Sequence, residues 1–542
     1  MSSLDHSPIG QGRGVDDMRA LLRERVPDIM EKIRLVTQQP GVSLGVIHQG
    51  EVVIKHNIGV QDIVTRNETN SDTLYCISSL SKAFMAASLD LLVQEQKISW
   101  DTTIESVLPN FRHAQQPEVY SKLTARDICS HRSGLLSLDE ITQGLDGRIL
   151  LKKEDVVNVC SALPIKHDLR SNFLYNNALY ELAGCLVEHT SGYSNWGDFQ
   201  HDRIFKPLGM SRTTAFRSIH DTDDNIATPY MILTDGKPTK IAPTELSANS
   251  MNGGSGAVRS SVNDLLKWCM CLLQSFNSDE EAADNLVRKN SPIFNRTTMA
   301  NPQSAADGGY CMGWCHHRTP AKLGLLSPDR SLESPVVGSE SPSLLLYSHQ
   351  GNVPGYTCNL YIIPEGNSAI VVLSNGTGLS DATDWIAQDL LQAMYGLRPA
   401  VNFIDVASKA RLKYLSHYTD DFRVPLEENR ILGTQCPPLE DFVGTYIMDT
   451  LDLVTLDFHV HTEDPSKLRM MVNQQHDQTW ELWHYHFDVF CHLPDSYDSC
   501  LSRGLDRTHW SSFLTSFIRG QDGRVERLYW ELDGVAVHFY RT

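Results

Sequence analysis

Residues 75–84, YCISSLSKAF, set a serine hydroxyl and a lysine amine three residues apart, at Ser79 and Lys82. They stand where an apolar strand-like run gives way to a helix-like one. Residues three apart on a helix share a face, so the amine can reach back to the hydroxyl. A serine hydroxyl is a weak nucleophile at neutral pH and needs a base beside it. Lysine serves as that base only when unprotonated, and burial favours this by disfavouring the charged form. Lys82 sits beside Ala83 and Phe84, apolar company in which a charge needs a reason. A serine at a helix start also places its own N–H among first-turn donors without intrahelical partners, where a developing oxyanion is favoured. Ser-x-x-Lys also occurs where the serine is only a cap, so the pair acquires meaning from its companions.

Two further stretches supply them. FLYNNALYELAGCLVE, 173–188, presents Tyr175 and Asn177 just before a helix, and LYSHQGNVPGY, 346–356, presents His349 and Gly351 at the end of an apolar strand. In order and spacing these three pieces resemble the active site of the serine β-lactamase-related superfamily. That superfamily includes class C β-lactamases, D-alanyl-D-alanine carboxypeptidases, family VIII esterases and fungal acyltransferases. The resemblance covers roughly residues 25–398. It includes collinear landmarks at 122–135 (KLTARDICSHRSGL), 204–213 (IFKPLGMSRT), 253–268 (GGSGAVRSSVNDLLKW) and 310–314 (YCMGW).

The resemblance implies catalytic roles for Ser79 as acylated nucleophile, Lys82 as its deprotonating partner and Tyr175 as proton shuttle to the leaving group. It implies substrate-binding roles for Asn177, His349, Gly351 and Asn352, with Gly351 leaving room for the substrate carbonyl. The oxyanion hole would be the backbone N–H groups of Ser79 and Asn352. No metal or organic cofactor is implied. The third motif departs from the lactamase pattern Lys-Thr-Gly, whose lysine binds a substrate carboxylate. This chain has His349-Gln350-Gly351, which argues against β-lactam hydrolysis as the main activity. Gln350 stands where a small hydroxyl residue is common, and it would narrow the site or read a polar group.

The elements that position these residues can be read coarsely. Residues 28–37 have helical periodicity after Pro27, a first-turn position. GVSLGVIHQGEVVIKHNIGVQD, 41–62, reads as two strands about a Gln49-Gly50 turn, and the alternation of Val42, Leu44 and Val46 suits a sheet with one covered face. Helical stretches dominate the middle, and strands return after residue 344. The expected fold is α+β: a β-lactamase/transpeptidase-like antiparallel sheet with flanking helices and an inserted all-α lobe, plus a small C-terminal all-β domain, a lipocalin-like barrel or sandwich. The expected boundaries are a tail over 1–24 and a catalytic domain over 25–398. Within that domain the sheet takes 25–110 and 344–398, the lobe 111–315, and a Pro/Ser-rich insertion 316–343. A linker over 399–435 and the β-domain over 436–542 follow.

At 542 residues the chain exceeds one compact core. A net charge of −19 without a basic patch argues against nucleic acid and anionic membrane surfaces as partners. The N-terminus lacks a basic start with an apolar core, so a cytoplasmic location is expected, with the 12 cysteines as free thiols. The expected function is a serine hydrolase acting on an ester or amide of a small molecule. An acyltransferase on the same site and a non-catalytic binding protein on this scaffold are the alternatives. Substrate identity, oligomeric state including a homo-oligomer, and the role of 316–343 as a lid stay open at this stage.

Overall fold

The computed structural model describes residues 13–144, 146–277, 286–288, 291–295, 308–331, 334–505, 509–532 and 534–542. The first twelve residues of the expected tail and residues 332–333 of the expected insertion lie outside them. The helices that frame the site are α1 (Val15–Thr37), α2 (Ser81–Gln94), α3 (Asp139–Thr142), α4 (Ala178–Ser191), α5 (Val262–Asn277), α6 (Ala382–Tyr395) and α7 (Phe403–His417). The central sheet has seven strands: β1 (Gly41–His48), β2 (Glu51–Gly59), β3 (Gly308–Tyr310), β4 (Cys315–Arg318), β5 (Leu345–Val353), β6 (Tyr356–Ile363) and β7 (Ser368–Ser374). All neighbours are antiparallel, in the order β2-β1-β7-β6-β5-β4-β3.

The first strand of the chain thus pairs with the last of the sheet, Val42 opposite Ser374 and Val46 opposite Ile370. Everything between β2 and β3 is free to form the lobe, which is not all-helical as expected: Tyr230–Ile232 pairs with Pro238–Lys240 and with Gly376–Thr377 in a small sheet of its own. β4 is the CHHR segment, so residues 316–318 of the expected insertion belong to the sheet; Ser348 pairs with Cys315 and Leu346 with His317.

Both faces of β1 are covered, not one. Against Val42, Leu44 and Val46 pack Met18, Leu22, Val26, Ile29 and Ile33 of α1. Each such buried side chain contributes roughly 1.5–3 kcal/mol as an upper estimate. This stripe starts at Met18, which is why the helix expected from residue 28 begins at Val15 and takes in part of the expected tail. Pro27 lies inside it, on an exposed position. On the other face, a Cβ at Gly45 would fall 2.7 Å from Val262 Cγ1 and 2.8 Å from Leu266 Cδ1. Gly45 is thus where α5 seats on the sheet, and Ser43 on the same face meets the Tyr75 hydroxyl at 2.9 Å.

The expected linker is largely helical. α7 continues through Tyr418–Arg423 and Val424–Glu428, and buries Phe403, Ala407 and Ala410 in the core shared with α1. Beyond it, eight strands form a closed barrel: β8 (Gly444–Met448), β9 (Leu451–Val460), β10 (Leu468–Val472), β11 (Thr479–His486), β12 (Val489–Cys491), β13 (Leu514–Arg519), β14 (Val525–Leu532) and β15 (Val535–Arg541). Tyr446 opposite Arg541 closes it. Phe442, Tyr446, Phe458, Phe490 and Phe517 pack together in its core, with Phe442 and Phe517 ring centres 4.8 Å apart. The barrel docks on the lobe. Gln478 Nε2 donates to both oxygens of Asp146 at 3.1 Å, and Thr234 N donates to Asp498 Oδ1 at 2.8 Å. Among the described residues no helix is long and apolar enough to cross a membrane.

One side chain knits sheet to lobe. Asn375, buried just after β7, shares its amide hydrogens among the carbonyls of Val60 at 3.2 Å, Gln61 at 3.0 Å and Thr228 at 3.1 Å. Asn375→Ala takes the side-chain donor from the Val60 and Thr228 carbonyls, while the Gln61 carbonyl keeps the N–H of Thr228 at 2.8 Å, and is expected to lower stability by about 2–4 kcal/mol. The readout is a lower urea midpoint at unchanged slope.

Candidate active site

Tyr75–Cys76 pairs with Arg259–Ser260, and the chain then turns sharply: Ser78 has φ +48°, the left-handed region that non-glycine residues seldom occupy. A 3-10 turn over Ser78–Leu80 leads into α2, which is buried from Ser81 to Leu92. The three serines of the motif are used differently. Ser78 Oγ donates to the carbonyl of Asn352 at 2.9 Å, tying the turn to β5. Ser81 Oγ accepts from Val258 N at 3.0 Å. Ser79 faces a cavity of about 350 Å³ that Tyr175, Asn177, Gln350 and Asn352 also line.

Beneath Ser79 lies Lys82, with no exposed surface. Its Nζ is 3.1 Å from Ser79 Oγ, 2.8 Å from Asn177 Oδ1 and 3.0 Å from the carbonyl of Ser255. Burial pushes its pKa down to about 7, against the opposing pull of the Asp139 charge. A neutral amine has two N–H donors and one lone pair. The Ser255 carbonyl can only accept. Asn177 is held oxygen-inward because its Nδ2 donates to Asp139 Oδ2 at 2.7 Å. Both donors are therefore taken, and the lone pair is left for the Ser79 hydroxyl. In the ammonium form the third N–H points at Ser79 instead, and no base exists.

Tyr175 is half-buried and offers its ring face to Lys82, 4.7 Å from Nζ to the ring centre, and its ring packs at a tilt against His131, centres 4.2 Å apart. His131 Nδ1 accepts from Asn176 N at 3.0 Å, and burial holds its pKa well below the usual imidazole range. His349 is fully buried and stands behind the cavity, not in its wall. Its Nδ1 donates to the Gln350 carbonyl at 2.6 Å, so its Nε2 is the acceptor for Tyr310 Oη at 3.1 Å. Burial first, then the Lys82 charge, pushes its pKa down to about 3, so it is neutral throughout the working range.

A Cβ on Gly351 would lie 2.2 Å from the Ile77 carbonyl and 2.4 Å from Cys358 Sγ. The space this glycine provides is thus filled by the protein: it lets β5 press against the turn that carries Ser79. Asn352 lies beyond the reach of β4, whose pairing with β5 ends at Ser348. Because its carbonyl points at Ser78 Oγ, strand geometry aims its N–H to the same side, toward Ser79. The N–H of Ser79, in the first turn, is the other donor of the expected oxyanion pair.

Sequence reasoning missed several contributors. Asp139 orients Asn177, and Ser137 braces both, donating to Asp139 Oδ1 at 2.7 Å and accepting from Asn177 N at 2.8 Å. The Ser255 carbonyl is main chain and has no residue signature. Gly504 and Leu505, from the C-terminal domain, complete the cavity wall.

This arrangement fixes a pH dependence. An amine so placed can serve as a base only above its lowered pKa, so if Lys82 has that role kcat/KM on an ester substrate is expected to rise with pH through a midpoint near 7. The Asp139 charge raises that pKa, so Asp139→Asn is expected to move the midpoint toward acid. A midpoint shifted upward would contradict the charge arrangement.

A family model described as Beta-lactamase matches residues 24–393. Similar proteins include an unguisins hydrolase of Aspergillus violaceofuscus, 25% identical over 63% of this chain and 59% of that protein. Penicillin-binding protein 4* of Bacillus subtilis is 24% identical over 60% of this chain and 66% of that one. The chain thus spans about three fifths to two thirds of the length of these two relatives. A D-aminopeptidase of Brucella anthropi is 24% identical over 76% of this chain and 80% of that one. In fold, the chain is similar to the octameric penicillin-binding protein homologue from Pyrococcus abyssi, with a TM-score of 0.54 at 19% identity over 96% of this chain and 99% of that one. With a family match across more than half its length, this chain belongs to the β-lactamase family.

Proposed function

We propose that the chain is a serine hydrolase that cleaves an ester or amide bond of a small molecule through an acyl-enzyme on Ser79. The observation that carries this reading is the contact set of Lys82 Nζ, which leaves its lone pair for the Ser79 hydroxyl. Ser79 Oγ attacks the substrate carbonyl carbon as its proton passes to Lys82. The carbonyl oxygen takes up negative charge and is held by the N–H groups of Ser79 and Asn352, each such donor being worth about 3 kcal/mol. Collapse breaks the bond to the leaving alcohol or amine. Lys82 returns the proton to it by way of the Tyr175 hydroxyl. Water then attacks the acyl carbon as it loses a proton to the same base, the bond to Ser79 Oγ breaks to release the acid, and Lys82 returns the proton to Oγ. General-base assistance of this kind contributes on the order of 10²–10⁴ in rate. Relatives named as hydrolase and D-aminopeptidase support hydrolysis as the reaction class.

A fluorophosphonate probe is expected to add to Ser79 in the native chain and not in Ser79→Ala, with intact mass as readout. Ser79→Ala is expected to lose nearly all ester turnover, on the order of 10⁴-fold or more, while its circular dichroism and melting curve stay native. Unimpaired turnover in that variant would end the proposal. Adding alcohols or amines to the assay separates the two fates of the acyl group, since a new ester or amide product would mark acyl transfer.

A further inference from the structure

Gln350 lies one residue before Gly351 on β5, is 2% exposed and lines the cavity that holds Ser79. Its Oε1 accepts from Leu326 N at 3.3 Å. A peptide N–H can only donate, so this contact settles which end of the amide is which. The nitrogen, Nε2, is then left buried with no partner among the described residues. Asn352, two residues on, shares the same face of the strand and the same cavity, and its Nδ2 is also buried without a partner among the described residues. A desolvated amide N–H without an acceptor is costly, and a substrate oxygen placed there removes the penalty.

Charge decides what kind of oxygen this is. The charged side chains among the described residues lining the cavity are Asp139 and Glu140, with no lysine, arginine or histidine. Lys82 lies beneath the wall with all its contacts used. Among the described residues a substrate carboxylate would meet two like charges and no cation, whereas an amide or ester carbonyl meets donors. Alternate residues of a strand are about 7 Å apart, the repeat of same-side carbonyls in an extended amide chain.

We propose that Gln350 is a specificity-determining residue whose Nε2 binds an uncharged carbonyl oxygen flanking the scissile bond. The site therefore takes neutral, amide-bearing substrates and discriminates against those with a carboxylate at that place. This rests on the hydrolase reading above. Two substrate pairs test it, one varying each side of the scissile bond. p-Nitrophenyl succinamate against p-nitrophenyl succinate varies the acyl side. N-acetylglycyl-lactamide against N-acetylglycyl-lactate varies the leaving side.

In the native enzyme the carboxamide member is expected to have at least tenfold higher kcat/KM in at least one pair. Gln350→Leu is expected to collapse that ratio toward one, and Gln350→Lys to turn it in favour of the carboxylate. Equal rates within both pairs, or a ratio that survives Gln350→Leu, would overturn the proposal. If neither variant folds, judged by loss of fluorophosphonate labelling, the native ratios decide alone. Native enzyme that neither takes the fluorophosphonate nor turns over p-nitrophenyl acetate would mark failure of the hydrolase reading itself, a result distinct from labelled enzyme with equal ratios.

Discussion

The structure turns on a single amine kept out of water. Lys82 sits in the first turn of a helix that is buried along nearly its whole length, and the sheet, the lobe and the turn at Ser79 are all packed around that helix. Burial lowers the affinity of the amine for its proton. Two fixed acceptors then set the direction of the remaining lone pair. Neither condition suffices by itself. A desolvated lysine free to rotate would not address Ser79, and a well-oriented but solvated one would stay charged.

Orientation is secured by layers of short polar contacts. Asp139 fixes the Asn177 amide, Ser137 braces both, and the αL residue Leu138 lets the chain fold back between them. The neighbouring imidazoles add bulk without adding charge. His131 and His349 are each engaged at Nδ1, one as acceptor and one as donor, and both are neutral. Protonated histidines here would make a charged Lys82 costlier still; as neutral rings they serve as walls for Tyr175 and Tyr310.

Much of this was legible in the sequence where side-chain chemistry carries the signal. The sheet built from both ends of a domain, the inserted helical lobe and the C-terminal all-β domain follow from periodicity and turn residues. Ser79, Lys82, Tyr175 and Asn177 follow from the family resemblance that their motifs carry, and the structure gathers them about one cavity. What stayed hidden was carried by backbone or by absence. The second covered face of β1 was hidden because a helix needs a residue as small as Gly45 to approach a strand closely. Gly351 suggested room for substrate, yet the room is taken by the Ile77 carbonyl. The Ser255 carbonyl has no letter in the sequence, and Asp139 belongs to no periodic pattern. The helix over 403–428 read as a linker because its buried face is short and its exposed face is rich in charge.

The strained turn at Ser78 has a consequence for how the protein comes into being. Its hydroxyl is anchored to a carbonyl 274 positions further along the chain. Contacts that distant form late, after the intervening polypeptide has been made and compacted. On the ribosome, the serine motif emerges long before the strand that braces it. Chemistry at this centre therefore reports on synthesis of the whole sheet, and a fragment cut short ahead of that strand carries the motif without the support that aligns it.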